Sequence, residues 1–306
     1  MSSKMASTLC PDCGGEARFV GSIPDSYIFA GSILRAPLAG GGLYQCTKCG
    51  LGFRSPRLSK DALDYLYAQG SDKAWTDSID RRPDWRIAHD WLLANIHTGA
   101  AVLDIGCFDG AFLESLAQNY RCFGIEIHPE ARHRAAQRGV EIVGRDFFDL
   151  EGQFDCIVAF DVIEHVESPR RFLEFGVDHL KSGGRLLVST GNFDSFTFRF
   201  MGSRYWYCSI AEHISFISPA WVRRQVPALG VKIEGMTFFS HANFRFRQSA
   251  KQVAANVLYR FCPRLFASLR RMGMGRIDVR RFPESIDYPP GWMSAKDHFL
   301  FVLRKA

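Results

Sequence analysis

The chain has no run of eighteen or more apolar residues, which excludes a helix long enough to cross a bilayer. Its N-terminus lacks the apolar stretch of a secretory signal, so the nine cysteines are not expected to form a disulfide framework. For the same reason the protein is expected to be soluble and cytoplasmic. Also missing is the third glycine of a dinucleotide fingerprint. Residues 102–113 read VLDIGCFDGAFL, an Asp-x-Gly-x-x-x-Gly spacing with Phe108 where a G-x-G pattern would place glycine. Acids are almost absent from residues 241–281, where ten Lys or Arg face the single Asp278. That stretch is therefore strongly basic in a chain whose net charge is only +6.

What is present fits an α/β protein. The chain has 306 residues and 47% hydrophobic content, more than the roughly 200 residues one such domain needs. Residues 102–113 combine a buried strand, a glycine turn and a helix start, the helix continuing over 111–118. Asp104 sits at the strand's carboxyl end, and Gly106 and Gly110 let backbone approach a ligand without a Cβ in the way. A second strand, CFGIE at 122–126, ends in Glu126, whose carboxylate can accept both hydroxyls of a ribose. A third strand at 139–144 is followed by Asp146 and Phe147, an acid and an aromatic able to hold an adenine amino group and ring face. A fourth, FDCIVAF at 154–160, ends in Phe160 and leads into Asp161, Glu164 and His165. Alternation of strand and helix means a parallel sheet, and ligands bind outside the carboxyl ends of such strands.

The N-terminus carries different chemistry. Cys10 and Cys13 form one C-x-x-C knuckle and Cys46 and Cys49 a second, each followed by glycine. Two such pairs make a tetrahedral structural zinc site, and four thiolates leave no open position for catalysis. Gly40-Gly41-Gly42 is expected to bend the intervening hairpin. Cys107, Cys122, Cys156, Cys208 and Cys262 lie in apolar surroundings and read as core residues. Ser59 is a candidate cap for a short helix, and a second helix over 83–96 places Trp85, Ala88, Trp91 and Leu92 at packing positions. The expected organisation is a zinc ribbon at 1–54, a helical linker or lid at 55–98, and a catalytic domain at 99–306 interrupted by a basic insertion at about 242–282.

The acceptor side reads from the aromatic and basic segment NFDSFTFRFMGSRYWY at 192–207 and from Glu212 and His213, which precede a helix capped by Ser218 with Pro219 at its first position. A histidine beside a glutamate at the mouth of such a site suits a general base; the alternative is that His213 only fixes its loop by hydrogen bonding. Asp161, Glu164 and His165 at i, i+3 and i+4 can share one helical face and hold a divalent ion, with His213 as a fourth ligand; the alternative is loop capping without metal. In the insertion, Val253, Val257, Leu258, Phe261, Leu265, Phe266 and Leu269 fall at helical spacing, with Pro263 dividing two helices. Such a basic amphipathic element serves a membrane surface or an anionic partner, unless its apolar side packs on the sheet. Nucleic acid is not an expected partner, because Arg18, Arg35 and Lys48 are too sparse in the ribbon.

The motifs VLDIGCFDG, GIEIHPE, RDFF, FDCIVAFDVIEHV and LKSGGRLLVST together resemble the class I S-adenosylmethionine-dependent methyltransferases. The resemblance implies a Rossmann-like, seven-stranded, mostly parallel sheet with helices on both faces. It implies that Asp104, Gly106, Cys107 and Gly110 surround the methionine part of the cofactor, Glu126 and Ile127 the ribose, and Asp146 and Phe147 the adenine. Phe160 and Asp161 would lie beside the sulfonium. The segment EHISFIS with the ribbon looks like the sugar C-methyltransferases acting on nucleotide-linked deoxysugars, where a histidine here serves as base. Ribbon-bearing methyltransferases of surface-polysaccharide or lipid-linked glycan synthesis are a better general match, since residues 297–303 read as the closing strand of the sheet. The spacing D-x-x-E-H is similar to the E-x-x-E-H of quinone-type O-methyltransferases and of metal-dependent RNA 2′-O-methyltransferases. The implied function is methyl transfer to a small-molecule or glycan acceptor, nucleotide-linked or lipid-linked and anionic. A peripheral contact with the inner membrane surface through the insertion would suit it. The other reading is a binding protein with a retained methyltransferase shell.

Overall fold

The two cysteine knuckles fold the N-terminal segment in the computed structural model, which describes residues 8–58, 60–71, 77–146, 150–242, 245–273 and 286–306. The ribbon contains β1 (Ala17–Ser22), β2 (Ser26–Phe29), β3 (Ser32–Leu38), β4 (Gly42–Cys46) and β5 (Gly52–Ser55). Strands β1, β4 and β5 form an antiparallel sheet, while β2 and β3 project as a separate hairpin. That hairpin turns at Ala30 and Gly31, both with positive φ. Gly40 to Gly42 instead carry the chain from β3 back into β4, so the expected bend sits ten residues earlier in the sequence. Two helices follow, α1 (Lys60–Ala68) and α2 (Pro83–Asn95). The proposed cap Ser59 lies outside the described residues. Trp85, Ala88 and Leu92 of α2 are buried against Val102 and Phe112.

The main sheet begins with β6 (Ala101–Ile105), α3 (Ala111–Glu114), β7 (Arg121–Ile125), α4 (Pro129–Gln137), β8 (Glu141–Gly144) and β9 (Phe154–Phe160). It continues with α5 (Pro169–Asp178), β10 (Leu180–Gly191), α6 (Phe196–Met201), β11 (Ser215–Phe216) and α7 (Pro219–Leu229). Last come β12 (Val231–Phe239), α8 (Phe246–Phe261), α9 (Pro263–Arg271) and β13 (His298–Lys305). The order is β12-β13-β10-β9-β6-β7-β8, seven strands with β13 antiparallel to both its neighbours. This is the Rossmann-like arrangement.

Every residue of β6 is buried, because helices cover both faces of a parallel sheet. Leu103, Ile157 and Leu186 point into one apolar layer and Val102, Val158 and Leu187 into the other. Helix α3 stops after Glu114 instead of running to 118. The Ser115 hydroxyl donates to the Phe112 carbonyl at 2.6 Å, and Leu116 N–H reaches Leu113 O, a tighter turn than the α-helical one. Ser218 does cap α7, its Oγ accepting from Trp221 N at 3.1 Å with Pro219 next.

The ribbon and the main sheet share one apolar cluster, in which Cys10, Cys46, Leu51 and Phe53 meet Ile217 and Trp221. Strand β11, only two residues beyond His213, pairs with β5 through Ser215 and Phe53. The ribbon's sheet is thus completed by a strand from the far side of the chain.

Candidate active site and metal centre

In the ribbon, Cys10 Sγ lies 3.6 Å from Cys49 Sγ and Cys13 Sγ lies 3.5 Å from Cys46 Sγ. All four sulfur atoms fall within 4.8 Å of one another, and none forms a disulfide. Tetrahedral zinc with Zn–S bonds of about 2.3 Å separates its ligands by about 3.8 Å, so the cluster has the size of a zinc site. The four thiolates fit a structural zinc ion.

The residues expected to cradle the cofactor lie where β6 and β7 end. Gly106 has φ +78, and a Cβ there would come within 2.8 Å of Val162. Gly110, φ +76, is glycine for a different reason, since a Cβ there would press on Val140 and on the Ala135 backbone of α4. The Glu126 carboxylate accepts from Phe108 N at 2.9 Å and from His128 N at 2.7 Å, which ties the end of β7 to the glycine turn. Each oxygen keeps a second lone pair for a hydroxyl donor. Burial pushes the Glu126 pKa up. Burial, with Glu126 nearby, raises that of Asp104 well above the usual carboxylate range. Asp104 Oδ1 is buried with no hydrogen-bond partner, an acceptor suited to an ammonium or N–H group of a ligand.

The remaining cofactor residues divide. Ile127 is exposed beyond the end of β7, and Asp146 is half-buried in the bend after β8. Cys107 is buried, its sulfur so close to Gly124 that a Cβ there would approach within 2.5 Å, and burial raises its pKa. Phe160 packs edge-on against Phe112 at 4.7 Å. Phe147 lies outside the described residues.

The segment after β9 departs from the one-face expectation for Asp161, Glu164 and His165. Asp161 has φ +53 and stands ahead of a single 3-10 turn over 163–165, so the three do not share one helical face. A left-handed conformation at a non-glycine residue is strained and is found at functional sites. Asp161 is held instead by Arg82, at 2.7 Å, and the same guanidinium binds Asp84, which also accepts from Ser189 Oγ at 3.0 Å. Glu164 is fully buried and accepts from Tyr207 Oη at 2.5 Å and Thr190 Oγ1 at 2.9 Å. Burial, reinforced by Asp161, pushes its pKa up to about 8. Among the described residues a second group with the spacing of metal ligands is Glu164, His165 and His213, within 4.8 Å of one another.

Both imidazoles are oriented by the backbone. His213 Nδ1 lies 3.0 Å from the Tyr207 carbonyl and His165 Nδ1 lies 3.1 Å from the Glu212 carbonyl, so each Nδ1 is the protonated nitrogen and each Nε2 keeps a lone pair. Burial lowers both pKa values, that of His165 to about 4, so both rings are neutral. Glu212 does not orient His213. Its Oε1 accepts from Ala30 N at the tip of the β2–β3 hairpin.

The loop bearing His213 hangs on Arg54 of the ribbon. The buried guanidinium donates to the carbonyls of Cys208 (2.6 Å), Ile210 (2.9 Å), His213 (3.2 Å) and Gly40 (3.3 Å). Arg57 adds bonds to the carbonyls of Glu167 and Ile214. Sequence reasoning missed Arg54, Arg82, Asp84 and Thr190. Only a charged residue in an otherwise apolar strand, FRS at 53–55, hinted at the first.

Residues 75–234, just over half the chain, match a family model described as a methyltransferase domain. The chain belongs to this family. It is an S-adenosylmethionine-dependent methyltransferase. It is 28% identical over 161 residues to the ubiquinone biosynthesis O-methyltransferase of Aeromonas salmonicida, covering 47% of this chain and 68% of that one. It is 29% identical over 167 residues to the protein of the same name from Xylella fastidiosa, covering 49% and 68%. A chain from the complex between the Haloferax volcanii Trm112 methyltransferase activator and a methyltransferase shares its fold, with a TM-score of 0.52 at 18% identity over 79% of this chain and 96% of that one. No helix among the described residues of this methyltransferase is long and apolar enough to cross a membrane.

Two outcomes follow. Metal analysis finds one zinc per chain, and Cys46→Ser loses most of it; unchanged zinc content in the variant contradicts the four-cysteine site. Arg82→Met leaves Asp84 buried and unpaired beside Asp161, and urea unfolding registers a loss of about 3 kcal/mol; a variant as stable as the parent rules out a structural role for the pair.

Proposed function

We propose that this methyltransferase methylates a hydroxyl group of a small-molecule or glycan acceptor, a sugar or ring hydroxyl carried on a nucleotide or lipid, and that His213 takes the proton. One observation carries the reading: a neutral, buried imidazole with Nδ1 committed to the Tyr207 carbonyl and Nε2 left to accept. S-adenosylmethionine supplies an electrophilic methyl group on a positively charged sulfur. Asp104, Glu126, Ile127 and Asp146 hold it, and Asp161, fixed by Arg82, lies on the acceptor side. The acceptor oxygen bonds to the methyl carbon as the carbon–sulfur bond breaks, and its proton passes to His213 Nε2. Tyr207, Thr190 and Glu164 exclude water beneath. The names of the relatives, which specify O-methylation, support oxygen as the methylated atom.

The cluster of Glu164, His165 and His213 favours a second reading, in which these three hold a divalent ion that polarises the acceptor hydroxyl. Imidazoles that donate Nδ1–H to backbone carbonyls are oriented as metal ligands usually are. Asp161 is not part of this set, because Arg82 holds it.

The acceptor is sought by incubating the enzyme with S-adenosylmethionine and fractionated small molecules and detecting a mass gain of one methylene. On the acceptor so found, His213→Ala lowers turnover by about 10²-fold or more. Its affinity for S-adenosylmethionine, read by calorimetry, stays unchanged. Turnover near the parent's rejects the base. Chelation that leaves the ribbon zinc in place leaves activity unchanged; loss of activity restored by added divalent ion establishes the second reading instead. Glu126→Gln weakens S-adenosylmethionine binding about tenfold or more through its lost charge-assisted bonds, and unchanged affinity removes Glu126 from the cofactor site.

A further inference from the structure

Helix α8 turns polar side chains inward beside Ala255 and Leu258, which pack on the core. Its protein-facing side carries Ser249, Gln252, Asn256 and Tyr259. Gln252 Oε1 accepts from the backbone and the hydroxyl of Ser294, at 3.1 and 2.8 Å. Asn256 Nδ2 donates to the Gly291 carbonyl and Tyr259 Oη to that of Asp287. The irregular segment around 286–294 has backbone groups that need partners, and α8 supplies them from its polar side. Phe246, Val253, Val257 and Phe261, at intervals of seven, four and four residues, are left on one outer face. The alternative in which the apolar side packs on the sheet holds for Leu258 of α8 and Phe266 of α9, which pack inward, but not for these four residues.

The outer face is large. Phe246 is 77% exposed, Phe261 67% and, on α9, Leu265 51%. Phe261 meets Phe200 edge-on, and Phe200 stacks on Phe196 of α6, itself 71% exposed, so the apolar surface runs across three helices. A contiguous exposed patch of this kind marks an interaction site. Its charge is one-sided: residues 245–271 hold seven Lys or Arg and no acid. Arg247, Lys251, Arg264 and Arg271 are exposed. Two such faces repel each other, which disfavours a second copy of the chain as the occupant. Apolar side chains bordered by arginine and lysine match the acyl boundary and phosphates of an anionic lipid surface.

Position adds a third observation. The insertion leaves β12 after Phe239 and re-enters β13 at His298, and both residues lie level with Gly191 at the carboxyl end of β10. That is the edge of the sheet where Asp161 and His213 stand. The insertion also lies beyond the residues matched by the methyltransferase family model, 75–234.

We propose that α8 and α9 form a docking face for an anionic lipid bilayer, which turns the acceptor side of the enzyme toward the membrane. The proposal goes beyond the acceptor reading and holds whether or not His213 is the base. It is tested by co-sedimentation of the full chain with phosphatidylcholine vesicles, with and without phosphatidylglycerol. The chain pellets with the anionic vesicles at least about tenfold more than with the zwitterionic ones, and less as salt is raised. Val253→Glu with Val257→Glu, and separately Phe261→Ser, each lower that binding about tenfold. Calorimetry with S-adenosylmethionine verifies that both variants are folded. A parent chain that stays in the supernatant with anionic vesicles overturns the proposal, as do variants that pellet like the parent. A dimer seen by light scattering without lipid, and dissolved by the same substitutions, assigns the face to a second copy and overturns it equally.

Discussion

One buried guanidinium couples the two halves of this enzyme. Arg54 leaves the last ribbon strand and donates to carbonyls at Cys208, Ile210 and His213, the second of which also accepts from His213 N. Unpaired carbonyls and an unpaired guanidinium are each costly to bury, and together they satisfy one another. The ribbon therefore holds the segment that positions His213. Strand β11, laid against β5, and the Glu212 carboxylate on Ala30 fix the same segment from two further directions. The domain that carries the four thiolates in this way holds the segment of the candidate catalytic histidine.

Desolvation governs the carboxyl edge of the main sheet. It raises the pKa values of Asp104, Glu126 and Glu164 and lowers those of His165 and His213. The imidazoles are left neutral, with their lone pairs available. Arg82 is the counterweight: Asp84 and Asp161 share its single positive charge between α2 and β9, and it lies over the Trp85 ring.

Local signals made much of this legible. VLDIGCFDG specifies a buried strand and a left-handed turn within nine residues, and the C-x-x-C pairs need only two short spacings. Glu126 follows from its place at a strand end. Arg54 and His213, by contrast, are separated by 159 residues, and nothing local to either announces the other. The Asp161 pattern misled because helical spacing presumes a helix, and the chain there takes a left-handed residue and a single 3-10 turn. In α8 the apolar period was visible but its direction was not, since that depends on which distant backbone groups lack partners. Gly110 must be glycine also because of Ala135 of α4, a neighbour 25 residues away that its own segment does not reveal.

The coupling of ribbon to active site is measured most directly by hydrogen exchange in the Arg54→Met variant, with S-adenosylmethionine affinity taken alongside. The account predicts that amides of 208–216 lose protection while those of β6 and β9 keep it, and that cofactor affinity stays within about threefold, since the cradle is built on other strands. Protection of 208–216 equal to the parent's would show that the loop stands without the ribbon, and would contradict the account.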